Sequence, residues 1–275
     1  MNEPDQIPGR ICGSAGGVYV LLPVLNEIAN IDELLRRIAA ALQDGPYTIG
    51  IVDDGSTDGT IEYLQDRMKS SGHRLHLICR KKTLRASQRG AALRTLMLWG
   101  LENTDHRVFV EIDGDLSHRP EEIHAGIQLV SGGGFDVAIA SKYREGSQVI
   151  NRPAGRRLVS RVCSIAVGFL LSRRIRDYSN GFRFYTRAAA GLAAGHAYRY
   201  GSPIYLSEIL ALWMRHGMRI VEFPSIYVGR NEGVSKLRIA DLLKASLAIF
   251  EISARYHVLG FPRQRTGNAA SQRRG

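Results

Sequence analysis

Cysteine is scarce: Cys12, Cys79 and Cys163 are the only three in 275 residues, and they are far apart, with no Cys-x-x-Cys pair. So few, odd in number and scattered, they exclude a disulfide framework and a cysteine-based zinc centre, and they fit a reducing, cytoplasmic setting. The first residues include Asn2, Glu3, Pro4 and Asp5 and show no basic stretch followed by an apolar one, so no secretory signal is expected. Long hydrophobic runs are also missing. The best candidates, residues 165–171 and 242–250, are too short, or too interrupted by Lys244 and Ser246, to cross a bilayer. Acidic residues are outnumbered by lysine and arginine, 26 to 37, and the formal charge of +11 points to anionic partners: phosphates, a membrane surface or nucleic acid. No internal repeat is found. With 44% hydrophobic and 23% charged residues the chain is neither disordered nor fibrous and can bury a substantial core.

Residues 1–17 are rich in glycine and proline and lack periodicity, as expected of a flexible leader. From residue 18 onward, short apolar runs alternate with segments of helical period. Strands are expected at 18–22, 48–52, 75–79, 107–112 and 137–140, and helices near 30–42, 60–69, 87–101 and 120–130. Asn30 is placed to cap the first helix, with Glu33 completing a capping-box spacing, and Pro120 suits the first turn of the fourth. This alternation predicts an α/β fold with a mostly parallel, doubly wound sheet flanked by helices. Beyond Ser141 it loosens into a basic helix near 155–171, a helix near 206–216 and a strand at 219–228. Residues 241–261 hold an amphipathic helix, with Asp241, Lys244, Glu251 and Arg255 on one stripe and Leu242, Leu243, Ile249 and Phe250 roughly opposite. Its apolar side either packs on the domain's own core or lies on a membrane surface. Residues 262–275 are basic and poor in hydrophobics, as expected of a disordered tail.

The acid that is present collects at two strand ends. Asp113-Gly114-Asp115 follows Val108-Phe109-Val110-Glu111-Ile112, and Asp53-Asp54-Gly55-Ser56-Thr57-Asp58 follows Ile49-Gly50-Ile51-Val52. Two carboxylates one residue apart can hold a divalent cation, which in turn can hold a diphosphate, and ligands of open α/β sheets bind at strand ends. Together the clusters read as a nucleotide-sugar site. With Pro23-Val24-Leu25-Asn26-Glu27 before them and Leu116-Ser117-His118-Arg119-Pro120 completing the later one, their order resembles the family 2 glycosyltransferases. Three further segments look like the dolichol-phosphate (polyprenyl-phosphate) mannosyltransferase branch: Ser141-Lys142-Tyr143, Asn180-Gly181-Phe182-Arg183-Phe184-Tyr185 and Arg230-Asn231-Glu232-Gly233-Val234-Ser235-Lys236-Leu237. The resemblance spans residues 18–240.

That resemblance implies a GT-A type, Rossmann-like fold with C-terminal helices on the acceptor side. It implies an inverting, metal-dependent enzyme that moves a hexose, mannose from GDP-mannose before others, to a polyprenyl or dolichyl phosphate. Asp113 and Asp115 then hold Mg²⁺ or Mn²⁺, with Ser117 standing where relatives carry Gln. Pro23, Leu25, Glu27, Val52, Asp54, Asp113, Gly114 and Asp115 face the donor, Leu25 standing where relatives carry Tyr. Arg230 and Lys236 flank a loop that can close over the diphosphate. Pro23 is expected to end the first strand, Asp54 to accept hydrogen bonds from the nucleobase and Asp53 to serve the turn. Lys142, Arg156 and Ser160 form the acceptor-phosphate set, Arg156 and Ser160 sharing a helix face at a spacing of four. Lys142 stands where the family has Arg, and Lys81-Lys82-Thr83-Leu84-Arg85-Ala86-Ser87-Gln88-Arg89-Gly90 where it has a Gly-rich segment. Arg157, Arg161, Arg173 and Arg174 are expected to be general surface charge, and His118 to pack at the entrance of its helix.

A phosphate acceptor is already an anion near neutral pH and needs no catalytic base, whereas a hydroxyl acceptor does, and Asp177 and Glu208 are the carboxylates available for that role. A different nucleotide sugar, such as a UDP-sugar, or a soluble acceptor in cell-envelope or secondary-metabolite synthesis remains the alternative. The enzyme is expected in the cytoplasm, where it can associate peripherally with the cytoplasmic membrane face. A nucleic-acid partner is not expected, since neither aromatic residues interleaved with basic ones nor a helix-turn-helix spacing is present. A catalytically dead partner subunit would have no reason to keep the acidic pair.

Overall fold

The computed structural model describes residues 16–71, 74–80, 89–200, 204–229 and 239–256. Among them the strands are β1 (Val18–Val24), β2 (Tyr47–Asp53), β3 (Leu75–Cys79), β4 (Val108–Glu111), β5 (Val137–Ser141), β6 (Gln148–Ile150), β7 (Arg183–Thr186), β8 (Ile220–Pro224) and β9 (Ile226–Val228). Seven of these form one sheet in the order β3-β2-β1-β4-β7-β5-β8, and β6 pairs with β9 in a separate ribbon. Every neighbouring pair in the large sheet is parallel except those of β7, which runs antiparallel between β4 and β5. The helices are α1 (Ile31–Ala41), α2 (Thr60–Ser71), α3 (Arg89–Asn103), α4 (Ile123–Ser131), α5 (Ala154–Leu170), α6 (Arg187–Gly195), α7 (Tyr205–Arg215) and α8 (Ile239–Tyr256).

Side chains alternate across a strand, so β1 feeds two cores. Tyr19 and Leu21 pack with Ala92, Leu93 and Leu96 of α3 and with α6 and α7, while Val20, Leu22 and Val24 pack with Ile31, Leu34 and Ile38 of α1 and with α4. A sheet covered on both faces explains why its strands are nearly continuous apolar runs.

Several local expectations are corrected. Pro23 does not end β1; the strand continues to Val24 and Pro23 stands opposite Val52, where a missing N–H leaves the rest of the parallel ladder intact. Asn30 makes no side-chain cap to α1. Its amide donates to Glu27 at 2.9 Å, and Glu33 is engaged by Arg36, so the capping box does not form. Pro120 opens a short 3₁₀ turn, Pro120–Glu122, before α4. The strand expected at 219–228 is broken at Ser225, where Glu122 accepts from the Ser225 hydroxyl and the Ile226 N–H. In α8, Ala248, Ile249, Ile252 and Tyr256 are buried in the core, while Phe250, expected on the apolar side, is 63% exposed and Leu247 71% exposed. Glu251, expected on the polar stripe, pairs with Arg199 and accepts from Tyr200. The side chains of Asp241, Leu242, Leu243 and Lys244 lie outside the described set.

Candidate active site

The parallel strands present their C-terminal ends at one rim, and because β7 is reversed its N-terminal end lies there too. β1 pairs with both β2 and β4, so the loops after residues 24, 53 and 111 are neighbours. The first two loops are sewn together: the Asn26 N–H donates to Ser56 Oγ, its Oδ1 accepts from the Thr57 N–H, and the Glu27 N–H donates to Thr60 Oγ1. Asp53 is wholly buried and accepts from the Gly55 and Ser56 N–H groups at 2.8 Å, the turn-forming role expected of it. Asp54, expected to receive a nucleobase, holds an ion pair with Arg80 at 2.6 Å. Val52, expected against the donor, is fully buried among Tyr19, Leu21, Ala92 and Leu93, so its side chain belongs to the core. Leu25 is exposed at the rim.

The acidic pair stands beside Glu27. A Cβ at Gly114 would lie 3.2 Å from Glu27 Cγ and 3.3 Å from Val24 Cγ1, so the absence of a side chain there brings the two loops into contact. Asp113 and Asp115 are both partly exposed. Asp113 pairs with Arg89 at the start of α3, and its other oxygen lies 3.1 Å from His118 Nε2. Burial, aided by the Lys142 charge, pushes the His118 pKa down to about 3. The ring is therefore neutral at physiological pH, and a hydrogen bond to the Asp113 carboxylate requires Nε2 to carry the proton. His118 packs against Phe182 and Tyr227 as expected of a packing residue, and it also orients Asp113, which was not expected. Asp115 Oδ1 accepts from the Ser117 N–H, while Ser117 Oγ is buried without a hydrogen-bond partner among the described residues. Two carboxylates and an uncommitted hydroxyl are hard oxygen donors that suit Mg²⁺ or Mn²⁺. Among the described residues no group of three His, Cys, Asp or Glu side chains could hold a metal, so a cation here needs oxygens from a ligand such as a diphosphate.

A second region lies beyond His118. Lys142 is nearly buried, 3.4 Å from Asp177 and 3.3 Å from Ser179 Oγ, and its Nζ sits over the Tyr227 ring at 5.1 Å. Tyr227, which also contacts His118 and carries the Arg152 guanidinium at 5.6 Å, links the acidic pair to a cavity of about 630 Å³. Among the described residues that cavity is lined by Lys142, Arg144, Arg152, Arg157, Arg161 and Arg176, with Glu145 as the one acidic lining residue. Arg157 and Arg161 were expected to be general surface charge. Both are exposed, as expected, and they also line this cavity, at the same i, i+4 spacing as Arg156 and Ser160 but one residue further along. The Arg156 side chain lies outside the described set, as do Arg230 and Lys236; Ser160 Oγ accepts from Tyr143 Oη at 2.7 Å. An adjoining cavity of about 470 Å³ adds Ile165, Phe169 and Ile175 to Arg161 and Arg173.

The two candidate bases are tied down. Glu208 is fully buried and accepts from the Arg199 and Tyr200 N–H groups and from Tyr256, and it lines neither cavity. Asp177 accepts from the Lys142 and Ser179 N–H groups. Burial raises its pKa, but the Lys142 charge and these donors outweigh it and leave the carboxyl below its usual range, a weak proton acceptor.

Comparison with known proteins shows the family and the fold. Residues 19–191 match the model of Glycosyl transferase family 2. The chain is 32% identical over 234 residues to the polyprenol monophosphomannose synthase of Mycolicibacterium smegmatis, covering 84% of this chain and 85% of that protein. It is 31% identical over 225 residues to the undecaprenyl-phosphate mannosyltransferase of Micrococcus luteus, covering 80% and 87%. Among solved structures, glucosyl-3-phosphoglycerate synthase of Mycobacterium tuberculosis, in complex with Mn²⁺, UDP-glucose and phosphoglyceric acid, superposes with a TM-score of 0.61 at 20% identity over 88% of this chain and 80% of that one. This likeness establishes a common GT-A fold.

Proposed function

The chain belongs to glycosyl transferase family 2 and is a glycosyltransferase, and we propose that it transfers mannose from GDP-mannose to a polyprenyl phosphate with inversion at the anomeric carbon. The observation that carries this reading is the bridge from the Asp113–Asp115 rim through His118 and Tyr227 to a cavity lined with arginine, an arrangement that supports a diphosphate site next to a monophosphate site. Asp113, Asp115 and Ser117 would hold Mg²⁺ or Mn²⁺, which supplies charge neutralisation of the departing nucleoside diphosphate. Glu27, Asp54, Gly114 and the main chain around Pro23 would border the donor, and Arg230 and Lys236 would supply further charge to the diphosphate. Lys142, Arg156, Ser160 and the cavity arginines would hold the acceptor phosphate, whose oxygen forms the new bond to the anomeric carbon as the bond to the diphosphate breaks. That oxygen is already anionic, so neither Asp177 nor Glu208 has to take a proton.

A lipid acceptor would bring the enzyme to a membrane. Among the described residues no helix is long and apolar enough to cross one. Leu158, Val162, Ile165 and Phe169, all more than half exposed, form one stripe of α5 flanked by Arg157, Arg161 and Arg173, a pattern suited to an anionic bilayer surface. We take this surface to be the cytoplasmic membrane face. The test is incubation of the purified protein with Mg²⁺ or Mn²⁺, polyprenyl phosphates and a panel of sugar nucleotides, followed by mass analysis of the lipid fraction. A mannosylated lipid phosphate formed from GDP-mannose supports the reading. A lipid product from a UDP-sugar alone would replace the donor, and sugar transferred only to soluble acceptors would overturn the lipid assignment.

A further inference from the structure

The acidic rim contains a cation of its own. Arg89, the first residue of α3, pairs through Nη1 with Asp113, donates through Nη2 to Glu111 Oε1 at 2.8 Å and donates through Nε to Tyr205 Oη at 3.0 Å. Glu111 is buried at the end of β4, and its carboxylate also accepts from the hydroxyls of Tyr185 and Tyr205. Gly181, at the entrance to β7, makes room for the arrangement: a Cβ there would lie 2.5 Å from Arg89 Nη2 and 3.3 Å from Asp113 Oδ2. Asp113 thus faces the Arg89 charge at one oxygen, in an ion pair without a hydrogen bond, and His118 at the other. A guanidinium fork can span two carboxylates in a way that a lysine ammonium cannot.

We propose that Arg89 is an internal counter-cation that occupies Asp113 while the site is empty, so that a divalent cation is captured only together with a nucleoside diphosphate. The inference rests on reading Asp113 and Asp115 as the cation site. A doubly charged ion beside a fixed guanidinium is repelled at short range, and two added negative phosphates offset that repulsion. Arg89 would therefore set the order of assembly, disfavouring capture of metal by a site without nucleotide. It acts on Asp113 and is a positioning residue.

The test is calorimetric titration of Mn²⁺ into the full chain, alone and with GDP or UDP present, for the native protein and for Arg89→Lys and Arg89→Met. Arg89→Lys keeps a positive charge for buried Glu111, and so keeps the test meaningful if Arg89→Met does not fold. The native protein is expected to bind Mn²⁺ weakly alone and much more tightly with nucleotide. Arg89→Met should bind Mn²⁺ alone at least about tenfold more tightly and Arg89→Lys, which frees Asp113 but keeps the charge, by a smaller factor, with the gain from nucleotide shrinking in step. Unchanged or weaker Mn²⁺ binding by the variants, with nucleotide-dependent binding intact in the native protein, overturns the role of Arg89 alone. No Mn²⁺ binding by any form, even with nucleotide, overturns the cation site as well.

Discussion

Replacing Asp177 by asparagine separates a structural carboxylate from a catalytic one. Asp177 is fully buried and Lys142 nearly so, with Nζ 3.4 Å from the carboxylate and the Lys142 N–H donating at 2.9 Å. Asparagine keeps the shape but removes the charge and turns one acceptor into a donor that faces other donors. Breaking one side of a buried ion pair costs about 3–5 kcal/mol, because the remaining charge stays desolvated. At roughly 2–4 °C per kcal/mol for a domain of this class, the melting temperature should fall by on the order of 10 °C. Thermal denaturation followed by circular dichroism reads that loss. Adding Lys142→Met should recover part of it, since no unpaired charge then remains. Steady-state kinetics completes the test: loss of the anchor for Lys142 should raise the KM for the acceptor phosphate while the pH profile of kcat keeps its form. An unchanged melting temperature would refute the ion-pair reasoning, and a collapse of kcat at unchanged KM would make Asp177 a base and favour a hydroxyl acceptor.

The ring of His76 stacks on Trp99 at 3.7 Å, and burial pushes its pKa down to about 4. The unfolded chain, with a histidine pKa of about 6.5, then takes up the proton first, so this group's stabilisation is complete above that pH and fades as pH falls toward the folded value. His76→Phe should give a shallower fall in melting temperature over that range, and an identical acid limb would contradict this. Tyr185→Phe leaves one Glu111 oxygen without its buried donor and should lower stability by about 1–3 kcal/mol in urea denaturation; an unshifted midpoint would show that this contact contributes nothing. Ile165→Ser combined with Phe169→Ser should abolish co-sedimentation with vesicles containing phosphatidylglycerol while leaving the melting temperature nearly unchanged, and retained binding would remove α5 from the membrane surface.

The sequence showed the parallel half of the fold clearly, because β1 to β5 are short, mainly apolar runs and the first four are each followed by a helical period. β7 was missed for a physical reason. Four residues that begin with a buried arginine do not look like a strand, and Arg183 is accommodated only because the carbonyls of Tyr178, Asn180 and Leu206 receive its guanidinium. The acidic motifs were legible because strand ends carry them. Their partners were not, since Arg89 and Gly181 come from segments distant in the chain that meet Asp113 only once β7 is inserted next to β4. The arginines of α5 showed their spacing but not which face lines a cavity, because the apolar stripe of this helix, Leu158, Val162, Ile165 and Phe169, is exposed and does not dock it on the core.

The central claim is that Asp113 and Asp115 join a divalent cation to the diphosphate of a sugar nucleotide. Its most direct test is calorimetry of GDP-mannose binding with Mn²⁺ and with chelator, in the native protein and in Asp115→Ala. Binding that needs Mn²⁺ in the native protein and is lost in Asp115→Ala is the predicted result. Equal binding with chelator present, or full Mn²⁺-dependent binding without the Asp115 carboxylate, would contradict it.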